Sequence, residues 1–250
     1  MKPQIKLAST RTPDGGEMGL YLHDGDFSIK INGLELMNSR QHESEQELAR
    51  LGCAHLSGRK APSVLIGGLG MGYTLRQALD LLGPDANVVV SELLTDVVSW
   101  NREFLGELNG HPLDDQRTEM ITGDIFPLIS QSVGRFDAIL LDVDNGPNAM
   151  TDSGNQRLYG PAGIEACRRA LRKGGCLAIW STEPSKAYEQ ILMGCGFTVR
   201  RYRAKAYQSS KSKPLFIWVA AEDGTILPAG GAESYLQDQQ EFRGKRRSAR

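Results

Sequence analysis

The sequence predicts an α/β fold: a seven-stranded, mostly parallel, Rossmann-like sheet preceded by a small N-terminal antiparallel β-sheet. Three observations carry this expectation. Short strand-like runs between Gly and Asp turns fill the chain up to about Asn38. From Ser63 onward, apolar strand runs alternate with segments of helical periodicity, the pattern of a parallel sheet covered on both faces. Two final strand runs follow each other too closely for a crossover, so they should pair as an antiparallel hairpin.

In chain order, "IKLAS", "GLYLH", "FSIKI" and "LELMN" form the N-terminal strands. "HESEQELARLGCAHL" is helical, with Leu48, Leu51 and Leu56 on one face and acids in its first turn, where the helix dipole favours them. "SVLIG" is a buried strand, and "YTLRQALDLL" places Leu75, Ala78, Leu79 and Leu82 on one helical face. "NVVVSE" is the next strand, followed by the helix "TDVVSWNREFLGEL" with Thr95 as its N-cap. The strands "EMITG" and "FDAILLD", a helix from about Gly163 to Arg172, the strand "CLAIWS" and the helix "PSKAYEQILMGCG" complete the alternation. "FTVRRYRA" and "PLFIWVA" make the closing hairpin, and the chain after Ala221 shows no core pattern.

The composition of 250 residues, 40% hydrophobic and 24% charged, is that of an ordinary globular protein. A net charge of −1 gives no field that favours nucleic acid or anionic membrane. Cys53, Cys167, Cys176 and Cys195 have no metal-ligand spacing and read as buried apolar residues. No metal site is expected. The N-terminus lacks an apolar signal region and no apolar run is long enough to cross a membrane, so a cytoplasmic location is expected. The four histidines form no motif, and Trp100 and Trp180 read as core. The basic end "EFRGKRRSAR" reads as disordered rather than as a nucleic-acid arm.

Between the first parallel strand and its helix stands "GGLGMG", which crowds Gly67, Gly68, Gly70 and Gly72 together. Such a loop brings backbone close to a ligand at a helix N-terminus. The lysine of a nucleotide P-loop is missing. Glu92 ends the second strand, where it can accept both hydroxyls of a ribose. Asp124 follows the third strand, beside an expected adenine, and Asp142 and Asp144 follow the fourth. These acids line the carboxyl edge of the sheet, where open α/β folds bind ligands. They would repel a pyrophosphate, which disfavours a nicotinamide dinucleotide, and they suit a sulfonium cation such as an S-adenosyl donor.

At this point the chain resembles the spermidine synthase (polyamine aminopropyltransferase) family, from about Gly33 to Ala220. The resemblance lies in "GLELMNSRQHESEQELARL", "VLIGGLGMG", "SELLTDVVSWNREFL", "RFDAILLDVDNGP" and "YRAKAYQSSKSKPLFIWVA", with Tyr207 on the tyrosine that lines the family's amine pocket. It implies a class I methyltransferase fold. It also implies three regions: an N-terminal sheet over residues 1–40, an adenosyl-nucleoside-binding catalytic domain over 41–221, and a partly disordered tail over 222–250. Gly68, Gly70, Gly72, Glu92 and Asp124 would bind the donor. Asp142 or Asp144 would act as general base, and Glu45 and Tyr207 would position a cationic acceptor.

The departures concern the aminopropyl end. Gly70 stands where the family carries an acid, Leu36 where it carries a glutamine, and Glu45 where it carries a tyrosine. With Gly70, the loop amides are expected to receive the carboxylate of ordinary S-adenosylmethionine, which slightly favours methyl transfer. Aminopropyl transfer from decarboxylated S-adenosylmethionine, and a non-catalytic adenosyl-nucleoside binder, stay open as alternatives. The expected partner is a small amine acceptor, with no nucleic acid and no membrane; a homodimer is left open.

Overall fold

The computed structural model describes residues 3–143, 146–147, 157–206 and 214–233. Four strands, β1 (Ile5–Arg11), β2 (Glu17–His23), β3 (Asp26–Ile31) and β4 (Leu34–Asn38), form an antiparallel sheet in sequential order. Tight turns place Asp24 and Asn32 in the left-handed region, each before a glycine that is also left-handed, as two-residue hairpins require. Helix α1 (Glu43–Cys53) leads into the main domain and buries Leu48 and Leu51, while Leu56 is buried in the single 3₁₀ turn after it.

The main sheet contains β5 (Ser63–Gly67), β6 (Asn87–Glu92), β7 (Thr118–Thr122), β8 (Phe136–Leu141), β9 (Leu171–Ser181), β10 (Thr198–Ala204), β11 (Leu215–Ala221) and β12 (Ala232–Glu233). Its order is β12-β10-β11-β9-β8-β5-β6-β7. The pairs within β7-β6-β5-β8-β9 are parallel, and β11 pairs antiparallel with both β9 and β10. The hairpin expected from the short connection is therefore present. The seven expected strands are joined by two-residue β12 on the edge of β10, in a stretch where the sequence shows no core pattern.

Helices α2 (Tyr73–Leu81), α3 (Thr95–Trp100), α4 (Ile125–Gln131), α5 (Pro161–Ala170) and α6 (Lys186–Gly194) connect the strands. The apolar face of α2 (Leu75, Ala78, Leu79), with Leu82 just past its end, is buried in a core layer shared with α1 and the sheet. A second layer on the opposite face buries Ile129, Ile164 and Leu192 from α4, α5 and α6. A third cluster joins Leu20 and Ile29 of the N-terminal sheet to Met71, Tyr73, Val97 and Trp100, so that sheet is packed onto the glycine loop and α3.

Two local expectations are corrected. Thr95 is the first helical residue of α3 and not its cap. Leu94 takes the cap position without a side-chain cap, and donates its own N–H to the Glu92 carboxylate (3.0 Å), which anchors the start of α3 to the end of β6. The helical period of "TDVVSWNREFLGEL" runs through three local geometries, because α3 opens into a π-helical turn over Asn101–Leu105 and a 3₁₀ turn over Gly106–Leu108. That widening lets Asn101 reach back to the glycine loop.

Candidate active site

The parallel strands β7, β6, β5, β8 and β9 all end at one edge, and the order around β5 opens a crevice there. A cavity of about 660 Å³ fills it. Its walls are the glycine loop, Glu92 and Leu93 after β6, Gly123 to Ile125 after β7, Asp142 and Val143 after β8, and Trp180 on β9. The N-terminal sheet closes it with Met18, Ile29, Leu36 and Met37, and α1 contributes Ser44 and Glu45.

The glycines serve close approach. Gly68 has φ +87°, and a Cβ there would lie 2.2 Å from the Asp142 carbonyl oxygen, so this turn presses directly on the end of β8. Gly72, at φ +84°, leads into α2; a Cβ there would meet Asn109 Nδ2 at 2.9 Å. Asn101 Nδ2 donates to the Gly70 carbonyl (2.8 Å) and Asn109 Nδ2 to that of Met71 (2.7 Å). Both asparagines hold the loop from behind, a role no sequence motif revealed.

Most of the loop amides are already engaged. Gly68 N–H donates to the Ser91 carbonyl (2.9 Å), Leu69 N–H to Glu92 Oε2 (2.9 Å) and Gly72 N–H to the Leu69 carbonyl (2.8 Å). Gly70 N–H is also directed at the Glu92 carboxylate and favours its charge. The expectation that Gly70 frees these amides for a substrate carboxylate is thus corrected, and the preference for methyl transfer loses its physical basis.

Glu92 stands where the sequence placed it. Its Oε2 accepts Leu69 N–H and its Oε1 accepts Leu94 N–H, and the amides of Gly70 and Leu93 also point at the carboxylate, which fixes its orientation at the cavity wall. Burial pushes its carboxyl up from the ordinary range, against the pull of the backbone N–H groups. Asp124 lies exposed at the rim; it caps α4 by accepting Phe126 N–H (2.8 Å) and pairs with Arg157. It lines the cavity, but both its oxygens serve structure as well. Asp144 and Tyr207 lie outside the described residues.

Asp142 has a different environment. Its Oδ2 accepts the Thr74 hydroxyl (2.7 Å), and no ion pair to it is found among the described residues. Burial, then the neighbouring charge of Glu45, raise its carboxyl from an ordinary 3.8 to about 7. The same strand carries the contrasting case at its other end. Asp137 is fully buried and accepts Ser63 N–H (2.8 Å) and Arg172 Nη1 (2.7 Å). Arg59 Nη2 also lies 2.8 Å from Asp137 Oδ1, off the hydrogen-bond direction, so this contact is an ion pair alone. The acid in β8 is neutralised at the foot of the sheet, while the one just after it has no cation beside it among the described residues.

Glu45 faces the same space from the first turn of α1, and its side chain accepts the Ser44 hydroxyl (2.5 Å). Burial raises its carboxyl too. Among the described residues the cavity wall carries the acids Asp14, Glu35, Glu45, Glu92, Asp124 and Asp142 and no lysine, arginine or histidine. Thr74 and Tyr73 were missed by sequence reasoning, since a Tyr-Thr pair opening a helix carries no signal of its own. Burial pushes the Tyr73 phenol up to about 12, so it stays protonated and donates to the Ser39 carbonyl (3.1 Å). Trp100 is core, as expected; Trp180 is half-buried, packs on the core and also lines the cavity. Among the described residues no group of three or more His, Cys, Asp or Glu is placed to hold a metal, and no helix is long and apolar enough to cross a membrane.

Comparison with known proteins agrees with this geometry. Residues 46–194 match the family model described as the spermine/spermidine synthase domain. A polyamine aminopropyltransferase of Saccharolobus islandicus is 32% identical over 127 residues, 51% of this chain and 41% of that protein. One from Saccharolobus solfataricus is 30% identical over 135 residues, 54% of this chain and 44% of that protein. The chain thus spans less than half the length of these curated relatives in the matched region. Among solved structures, spermidine synthase from Thermotoga maritima superposes with a TM-score of 0.70 at 18% identity, covering 89% of this chain and 76% of that one. A spermidine synthase in complex with the transition state analogue AdoDATO gives 0.73 at 18% identity over the same shares. These likenesses establish a common fold. The family match spans the glycine loop, Glu92, Asp124 and Asp142, the residues around which the cavity is built, and the chain belongs to the spermine/spermidine synthase domain family.

Proposed function

We propose that this protein transfers an aminopropyl group from decarboxylated S-adenosylmethionine to a small amine acceptor. One observation carries the reading: the cavity is lined by carboxylates, with no basic side chain among the described residues and with the amides of Gly68, Leu69, Gly70 and Gly72 directed at acceptors within the protein. A donor bearing a sulfonium and an ammonium suits that wall. The additional carboxylate of ordinary S-adenosylmethionine has no partner in it. The names of the relatives support the same choice.

In this reading Glu92 holds the ribose hydroxyls with its oriented carboxylate, Asp124 borders the adenine, and Gly68, Gly70 and Gly72 shape the turn beneath the donor. The reaction is an in-line displacement. The acceptor nitrogen must first be unprotonated; Asp142 takes its proton, and the nitrogen lone pair then forms the new C–N bond. The C–S bond breaks and its electron pair stays on sulfur, which becomes neutral. Holding both reactants in line supplies several kcal/mol of the rate enhancement. Asp142 suits the base because a carboxyl raised to about 7 is ionised just above neutrality and still a useful proton acceptor. Its freedom from ion pairing among the described residues favours an enzyme over a passive nucleoside binder.

Equilibrium binding of the two donors, with mass spectrometry of the product formed from a diamine, tests this. The decarboxylated donor should bind about tenfold tighter or better, the worth of one charge-assisted contact, and the diamine should gain an aminopropyl unit. Tighter binding of the carboxylated donor, or a methylated diamine, would overturn it.

A further inference from the structure

We infer that Glu45 and Asp142 work as one carboxyl pair that shares a proton in the empty site and exchanges it for the ammonium of the acceptor amine. Glu45 is thereby a specificity-determining residue for the transfer. This rests on the aminopropyl-transfer reading above.

The geometry brings the two acids together from separate elements. Glu45 enters the cavity from the first turn of α1 and Asp142 from the end of β8. Thr74, on the first turn of α2, ties Asp142 to the backbone of α1: its hydroxyl donates to Asp142 Oδ2 at 2.7 Å, and the same oxygen is 3.3 Å from the main-chain carbonyl of Glu45, whose carboxylate accepts the Ser44 hydroxyl. Among the described residues the remaining charged or titratable groups facing this space are Glu92 on β6, Tyr73 on α2 and the rim acids Asp14, Glu35 and Asp124. None of these is a cation, and the Glu92 charge adds to that of Glu45 in raising Asp142. Two like charges at close range cannot both be stable in a poorly solvated space, so the pair retains one proton at neutral pH. The charge of Glu45 raising Asp142 is consistent with this arrangement.

An arriving ammonium reverses the balance. With a cation between them both carboxylates are stable, the shared proton leaves to solvent, and the ammonium occupies its place. Asp142 then accepts one proton from that ammonium, leaving a neutral amine with Glu45 still charged beside it. After C–N bond formation the product carries the charge as a secondary ammonium, and Asp142 releases its proton to solvent. Atoms and charges close: an ammonium and a sulfonium become a secondary ammonium, a neutral sulfide and one proton.

The test is titration calorimetry of 1,4-diaminobutane into the full chain near pH 6.5, in buffers of differing ionisation enthalpy, combined with the pH profile of kcat/KM. For the wild type, diamine binding should release a proton. In Glu45→Gln that release should fall well below the wild-type value without disappearing, because burial still raises Asp142, KM for the diamine should rise about tenfold or more, and the acid limb of the profile should move down by about one unit. Glu45→Asp, which restores the charge, should recover the proton release. An unchanged proton count and an unmoved acid limb in a folded Glu45→Gln would overturn the pair. The calorimetric arm needs no turnover, so absence of aminopropyl transfer with proton release intact would instead strike the reading of the reaction and leave the pair standing.

Discussion

At the scale of single residues, Asp137 and Asp142 show what context does to one side chain. They stand at the two ends of one buried strand, yet one is neutralised by Arg59 and Arg172, while the other accepts the Thr74 hydroxyl and meets no cation among the described residues. The uncompensated one should weaken the fold where it ionises. Its folded-state pKa, about 7, lies above the ordinary 3.8. The folded protein therefore binds more protons than the unfolded chain between those values, and this stabilising contribution is complete below about 4 and lost as pH rises through about 7. Asp142→Asn should remove the loss. Thermal melts should show the variant more stable than the wild type at pH 8, by on the order of 1 kcal/mol or more, with the gap closing toward pH 4. Parallel melting curves at both pH values would show that Asp142 ionises freely.

At the scale of elements, the glycine loop is held by what surrounds it. Gly68→Ala should be costly twice over: φ of +87° is strained for alanine, and its Cβ would fall 2.2 Å from the Asp142 carbonyl oxygen. Gly58 is the matched control, with φ +73° and nothing within 4 Å of a Cβ. Gly58→Ala should lose about 1 kcal/mol from strain alone, while Gly68→Ala should lose at least about 2–3 kcal/mol and donor binding with it. Equal losses in denaturant titrations would mean that the loop yields to the clash. The glycine spacing was legible in the sequence because few other needs crowd glycines after a strand. The asparagines behind it were not, since Asn101 and Asn109 come into reach only through the π-helical and 3₁₀ turns that follow α3.

At the scale of the whole molecule, the two edges of the parallel sheet divide the work. The carboxyl edge carries the cavity and its uncompensated acids. The opposite edge carries Asp137, which ties the starts of β5 and β8 to Arg172 on β9 and to Arg59 in the loop before β5. Asp137→Ala should cost about 2–3 kcal/mol, because the buried Ser63 N–H loses its acceptor while the half-exposed arginines are partly rescued by water. Donor affinity measured well below the melting temperature should stay unchanged. A loss of affinity without loss of stability would show that the two edges are coupled.

What the sequence by itself determined is the order and type of the elements and the placement of Glu92, Asp124 and Asp142 at strand ends. Period-2 and period-3.6 patterns and turn residues are local properties, and the closing hairpin followed from a connection too short for a crossover. The tertiary structure alone decided which of those acids are compensated. It brought Glu45 and Asp142, 97 positions apart in sequence, to one cavity, and it directed the Gly68 and Leu69 amides onto Ser91 and Glu92. It also folded the N-terminal sheet over the site. Electrostatics and hydrogen bonding depend on distance in space, and burial sets their strength, so a carboxylate's role is settled only once the chain has brought its neighbours within reach.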